Sequence, residues 1–157
     1  MKTIQKTLAF AAVLFFSNAT PADKTYYWDD YNIQITVPGD FKITKDTANE
    51  FEMDGDGMDL AMYIFNDKKI GIDEMDEATI AGAKELKLQE IDAEHAFKSD
   101  DFEGYYVEGF KDGNRIIFAG MIDIASQTNF FIAITFDDED KEAEKEAIKV
   151  LNSIDHK

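Results

Sequence analysis

Two consecutive segments near the C-terminus of this chain are apolar on both faces of an extended strand. In residues 116–124, Ile116, Phe118, Ile122 and Ile124 fall on one face, and Ile117, Ala119 and Met121 on the other. In residues 130–136, Phe130, Ile132, Ile134 and Phe136 oppose Phe131 and Ala133. A strand that is apolar on both sides must be covered on both sides. The link between the two, Ser126-Gln127-Thr128-Asn129, is too short for a crossover, so the strands run antiparallel. The chain therefore needs a central antiparallel ribbon that is dry above and below.

Helical periodicity supplies covering layers. Ile72, Met75, Thr79, Ala83 and Leu86 recur at helical spacing and predict a helix from Ile72 to about Gln89, with Asp73 as its cap and Asp76 three residues on. Gly82 inside it weakens a free helix by about 1 kcal/mol relative to alanine, or marks close packing on a sheet. A second helix, over residues 138–154, carries the stripe Ala143, Ala147, Val150, Leu151 and Ile154, with residues 137–140 placing acids at its positive end.

Further strands are predicted at 26–28 and 31–37, as two short strands or one bent one, ending at Pro38-Gly39, then at 41–44, and in a hairpin over 50–65 that turns at Asp54-Gly55-Asp56-Gly57. Strands at 94–99 and 104–110 follow, the latter turning at Lys111-Asp112-Gly113-Asn114. Together these elements predict an α+β class, an antiparallel β-sheet covered by helices in an α/β/α sandwich.

The first residues read differently. Lys2 and Lys6 precede the apolar run LAFAAVLFF at 8–16, and Ser17-Asn18-Ala19 follows. This is the layout of a secretory signal over residues 1–19, with cleavage after Ala19 or as late as Ala22. The apolar run is about half of what a bilayer span requires. Residues 20–25 then form a flexible leader and residues 26–157 a single domain. The chain holds no cysteine, which excludes disulfides, thiolate metal sites and a lipid anchor through cysteine. The expected location is therefore exported, either periplasmic or secreted. The formal charge of -17 disfavours nucleic acid and anionic lipid surfaces, and leaves divalent cations and basic partners. Thirteen phenylalanines and six tyrosines are too many apolar groups for an unfolded acidic chain.

The segment Ile33-Gln34-Ile35-Thr36-Val37-Pro38, the segment Ile148-Lys149-Val150-Leu151-Asn152-Ser153-Ile154 and the order of elements between them resemble the PsbP-like fold. The chain looks like a small exported bacterial member. Phe41 stands where that family usually has a tryptophan. The resemblance implies an antiparallel sheet sandwiched by helices and implies no activity. Members bind different partners through different surfaces, and no functional residue carries over to a position here.

The most site-like stretch is the Asp-Gly loop. With Glu52 at the first position of a calcium loop, Asp54 and Asp56 fall at the third and fifth, but Tyr63 falls at the twelfth, where a bidentate glutamate is needed. Asp54, Asp56 and Asp59 are thus the candidate metal ligands for weak calcium binding, and the competing reading is a hairpin turn. Tyr26, Tyr27, Trp28 and Tyr31 are the candidate partner-binding set, with core packing as their competing role. His95 and His156 are the only histidines, and His156 is next to last, where chain ends fray. Ser99, Ser126 and Ser153 lie in no Gly-x-Ser-x-Gly, and Arg115 is the sole arginine. No catalytic residue and no cofactor is expected. The expected function is a non-enzymatic exported binding or accessory domain for an unknown protein or small ligand, the alternatives being a weak calcium-binding acidic domain and an unrecognised hydrolase.

Overall fold

The computed structural model describes residues 22–65 and 70–157. The expected signal segment 1–19, the start of the expected leader at 20–21 and residues 66–69 lie outside the described residues.

The doubly apolar segments become β8 (Asn114–Asp123) and β9 (Asn129–Asp137), neighbours in register at Ile117↔Ile134 and Ala119↔Ile132. They sit inside a seven-stranded antiparallel sheet. Its remaining strands are β3 (Lys42–Asp46), β4 (Glu50–Asp54), β5 (Met58–Ile64), β6 (His95–Lys98) and β7 (Phe102–Lys111), in the order β3-β4-β5-β9-β8-β7-β6. The expected hairpin at Asp54-Gly55-Asp56-Gly57 joins β4 to β5, with the Gly55 N–H donating to the Met58 carbonyl at 2.8 Å.

Ile117, Ala119 and Met121 of β8 and Phe130, Ile132, Ile134 and Phe136 of β9 point into one core. Two layers close that side. One is a small second sheet of β1 (Lys24–Trp28), β2 (Ile33–Val37) and β10 (Asp155–His156). Ile33, Ile35 and Val37 of β2 face inward, and Gln34 and Thr36 stay half-exposed, as their alternation predicts. The other is α2 (Lys141–Leu151), which buries Ala147, Val150 and Leu151. The helix starts later than predicted because the Asp140 carboxylate caps it, accepting the Glu142 and Ala143 N–H groups at 3.0 Å each. Helix and sheet thus share the layer expected of a helix.

The opposite face of β8 meets α1 (Ile72–Glu85), whose Ala83 packs in a smaller core with Leu88, Val107, Ile116 and Phe118. Asp73 does not cap this helix. Gly71 occupies the N-cap position, with its carbonyl accepting the Glu74 N–H at 3.0 Å. The helix also stops short of Gln89. Lys87 takes a positive φ of 62°, the Leu88 N–H reaches the Ala83 carbonyl at 3.1 Å, and the Lys87 N–H reaches that of Lys84 at 2.9 Å. This is a Schellman stop, in which Leu88 folds back onto Ala83. Leu86, expected in the buried stripe, is left on the surface.

Coverage by α1 is partial. A helix with side chains is about 10 Å across, and strands lie about 4.8 Å apart, so one helix shields about two strands. It lies on β7 and β8. Over β9, Phe131, Ala133 and Thr135 are only half-buried, so the second face of β9 is not dry.

Gly82 marks close packing. A Cβ there would lie 2.7 Å from the Phe118 ring, and one on Gly120 of β8 would lie 2.8 Å from the Met75 sulfur. Gly82→Ala therefore lowers stability, against the gain of about 1 kcal/mol that this exchange gives in an open helix. Gly120→Ala costs about 1–3 kcal/mol through overpacking. Urea unfolding of both variants checks the signs.

Candidate functional site

Beyond the edge of α1 the covering layer is interrupted over β4, β5 and β9. The exposed rows of the sheet follow from register. Glu50, Tyr63 and Phe131 lie side by side on β4, β5 and β9. The next row is Glu52, Ala61 and Ala133, and the third is Asp54, Asp59 and Thr135. Large side chains at Tyr63 and Phe131 make a ridge, and the two alanines beside them make a trough. The surface Leu86 at the end of α1 lines the same hollow, which holds about 300 Å³. Tyr63, Phe65 and Leu86 are each 38% exposed. Phe131 is flanked by Phe118 of β8, stacked at 5.4 Å, and by Phe65, edge-on at 5.5 Å.

Acids surround this apolar strip. Lys45 is held by Glu50 and by Glu52, the latter at 3.5 Å. Asp54 and Asp59 stand directly opposite each other on paired strands, and neither has an ion-pair partner among the described residues. Like charges in that position are destabilising. Burial, and then the Asp54 charge, raise the Asp59 carboxyl above its ordinary value. Burial, then Glu52 and Glu50, raise the Tyr63 phenol.

The candidate calcium ligands do not converge on one point. Asp54 and Asp59 share the open face, but Asp56 sits at the hairpin tip, where its N–H donates to the Asp40 carboxylate at 2.7 Å. Among the described residues no three carboxylate or histidine groups are placed to hold a metal ion. Gly57 has a φ of 79°, so the turn's backbone accounts for a glycine at this place.

The candidate aromatic set does not form a surface. Trp28 is 0% exposed, stacked on Phe51 at 5.9 Å, with its indole N–H donating to the Thr47 carbonyl at 2.9 Å. Tyr26 and Tyr31 engage their hydroxyls within the chain, donating to the carbonyls of Phe41 and Ala48 at 2.6 Å each. Strand alternation leaves Tyr27 outside, with the Lys157 ammonium 4.9 Å from its ring centre. Three of the four are spent on packing the small sheet, and Trp28 is withdrawn from any partner.

A second hollow, of about 440 Å³, opens where β10 meets the end of β8. His156 is not frayed here. It pairs with Ile33 in β10, lies edge-on to Phe102 at 5.0 Å, and its Nε2 is 3.1 Å from Asp123 Oδ2. Asp123 also accepts the Ala125 and Ser126 N–H groups at 2.8 and 3.1 Å and the Ser126 hydroxyl at 2.7 Å. Burial acts to raise the Asp123 carboxyl, but the Ser126, Ala125 and His156 hydrogen bonds outweigh it and hold the group below its ordinary value. The carboxylate stands between serine and histidine, so His156 is not placed to take the Ser126 proton as a general base does. These residues come from the end of β8, the following turn and the chain terminus, and no local motif joins them.

Asp123 thereby fixes the sign of an acid dependence. A depressed carboxyl contributes stability that is complete above its unfolded value, near 3.8, and is lost as pH falls through the lower folded value. Asp123→Asn leaves N–H donors facing an amide and costs about 1–3 kcal/mol. Denaturation at neutral pH and in acid checks both: the difference from the unsubstituted protein narrows as pH falls below 3.8.

No protein-family model matches the chain, and no curated protein does. Solved structures do. The Ran-binding protein Mog1p of Saccharomyces cerevisiae is similar over 87% of this chain and 96% of its own, with a TM-score of 0.56 at 10% identity. A point mutant of Mog1 gives 0.56 at 11% identity over 86% and 96%. A protein of Bacteroides thetaiotaomicron gives 0.50 at 13% identity over 88% of this chain, which spans 49% of that one. The likeness to Mog1p extends along nearly the whole domain, and the chain has the PsbP-like fold that its order of elements resembles.

Proposed function

We propose that this chain is a non-enzymatic, exported binding or accessory domain that docks a protein partner through the open half of its main sheet. The observation that carries the reading is the uncovered strip of Tyr63, Phe65, Leu86 and Phe131, flanked by Phe118 and bordered by acids. Exposed aromatic and aliphatic anchors around a hollow, with a polar rim, are the ingredients of a protein interface. A neighbour in fold, Mog1p, carries the description Ran-binding, which supports a binding role without naming a partner. Against a serine nucleophile activated by histidine stands the order Ser126–Asp123–His156, in which Asp123 and not His156 accepts the hydroxyl.

Tyr63→Ala with Leu86→Ala removes two surface anchors and changes stability by no more than about 1 kcal/mol. In a pull-down from the cell-envelope fraction, the unsubstituted protein retains a partner that the double variant loses. Equal retention by both overturns the docking role.

Export is a separate part of the proposal and rests on residues 1–19. Mass spectrometry of the protein recovered outside the cytoplasm should find a chain beginning at Thr20 or, with the later cleavage, at Asp23. An intact Met1 terminus confined to the cytosol rejects it.

A further inference from the structure

The open face also indicates what kind of partner it receives, a reading that rests on the docking role proposed above. The geometry points to a basic protein segment that lays a lysine or arginine along the Ala61–Ala133 trough, with the cationic end between Asp54 and Asp59. The trough has an apolar floor and one acidic end. Ala61 and Ala133 are paired in register, Leu86 stands at the side, and the row Asp54, Asp59, Thr135 closes the end. A side chain with an apolar stem and a charged tip matches both parts.

The charge distribution argues for the sign. Among the described residues Asp54 and Asp59 face each other with no ion pair to either, although lysines are near. Lys45 is engaged by Glu50 and Glu52. Lys42, in register with Asp54 on the edge strand, and Lys111, on the rim of the hollow, make no ion pair with either aspartate. An incoming cation therefore relieves a repulsion that the free protein carries. A second copy of this chain is a poor occupant, because it presents the same acids and a formal charge of -17. Nucleic acid and anionic lipid are disfavoured by the same sign.

The test uses the purified protein and two short peptides, one alternating lysine with leucine and alanine, the other carrying glutamate in place of each lysine. The lysine peptide should shift the NMR amide signals of Asp59, Ala61, Ala133 and Thr135, and the glutamate peptide should shift none. Asp54→Asn with Asp59→Asn should weaken lysine-peptide binding about tenfold and, by removing the like-charge pair, raise the melting temperature of the free protein. A merely structural role for these acids gives a lower melting temperature instead. Shifts spread over the acidic surface of α2, or unchanged binding by the Asn variant, overturn the inference. If the Asn variant captures the envelope partner as the unsubstituted protein does, while the Tyr63→Ala, Leu86→Ala variant does not, docking stands and the cationic partner falls. If the apolar double variant also captures normally, both fall.

Discussion

The structure depends on the demand of β8 for dry packing on both sides. A strand with Ile116 and Phe118 on one face and Ile117 and Met121 on the other cannot lie at a surface. Each face therefore recruits its own layer, and the two layers differ. On one side, the small sheet and α2 close over β8 and β9 together, using Trp28, Ile35, Val150 and Leu151. On the other, a single helix must suffice, and its approach is so close that Gly82 and Gly120 leave no room for a methyl group. Tight contact with β8 is achieved at the expense of reach, which stops before β9.

This asymmetry locates the candidate site. The closed side buries Trp28 and satisfies the hydroxyls of Tyr26 and Tyr31 internally, so its aromatics are committed to folding. The side that α1 only half covers leaves Tyr63 and Phe65 against solvent, anchored by contact with neighbouring strands and rings. Apolar surface kept exposed on an otherwise acidic protein, beside two opposed aspartates, runs against stability on two counts. A surface of that kind gains from being covered.

Much of the architecture was legible in the sequence. The period of two in β2, the doubly apolar β8 and β9, the Asp-Gly turn and the two amphipathic helices each have a local physical signature, and all are present in the structure. Most of what the sequence did not disclose depends on distance along the chain. The stripe reading put Leu86 in the core because periodicity does not reveal a Schellman stop at Lys87. Tyr26 to Tyr31 looked like a patch because composition does not show which hydroxyls find carbonyls at Phe41 and Ala48. His156 looked frayed because its partners, Ile33 and Asp123, are remote in sequence. The rows Glu52–Ala61–Ala133 and Asp54–Asp59–Thr135 join three strands, one of them far along the chain, so they exist only once register is set.

The same constraint explains how a yeast Ran-binding protein at 10% identity shares this fold. The architecture asks for a two-sided apolar ribbon, one helix able to approach it closely, and a second layer able to close the other face. Many side chains meet those terms, so the fold tolerates near-complete replacement of its residues. Recognition is not so tolerant, because it needs particular charges and anchors at particular register positions. Tyr63, Leu86, Asp54 and Asp59 stand where the covering layers stop, and there the requirements of packing are weakest. Residues at such places are freest to be chosen for a partner, so specificity in this chain is to be sought on the uncovered rows of β4, β5 and β9, in the residues that the core does not dictate.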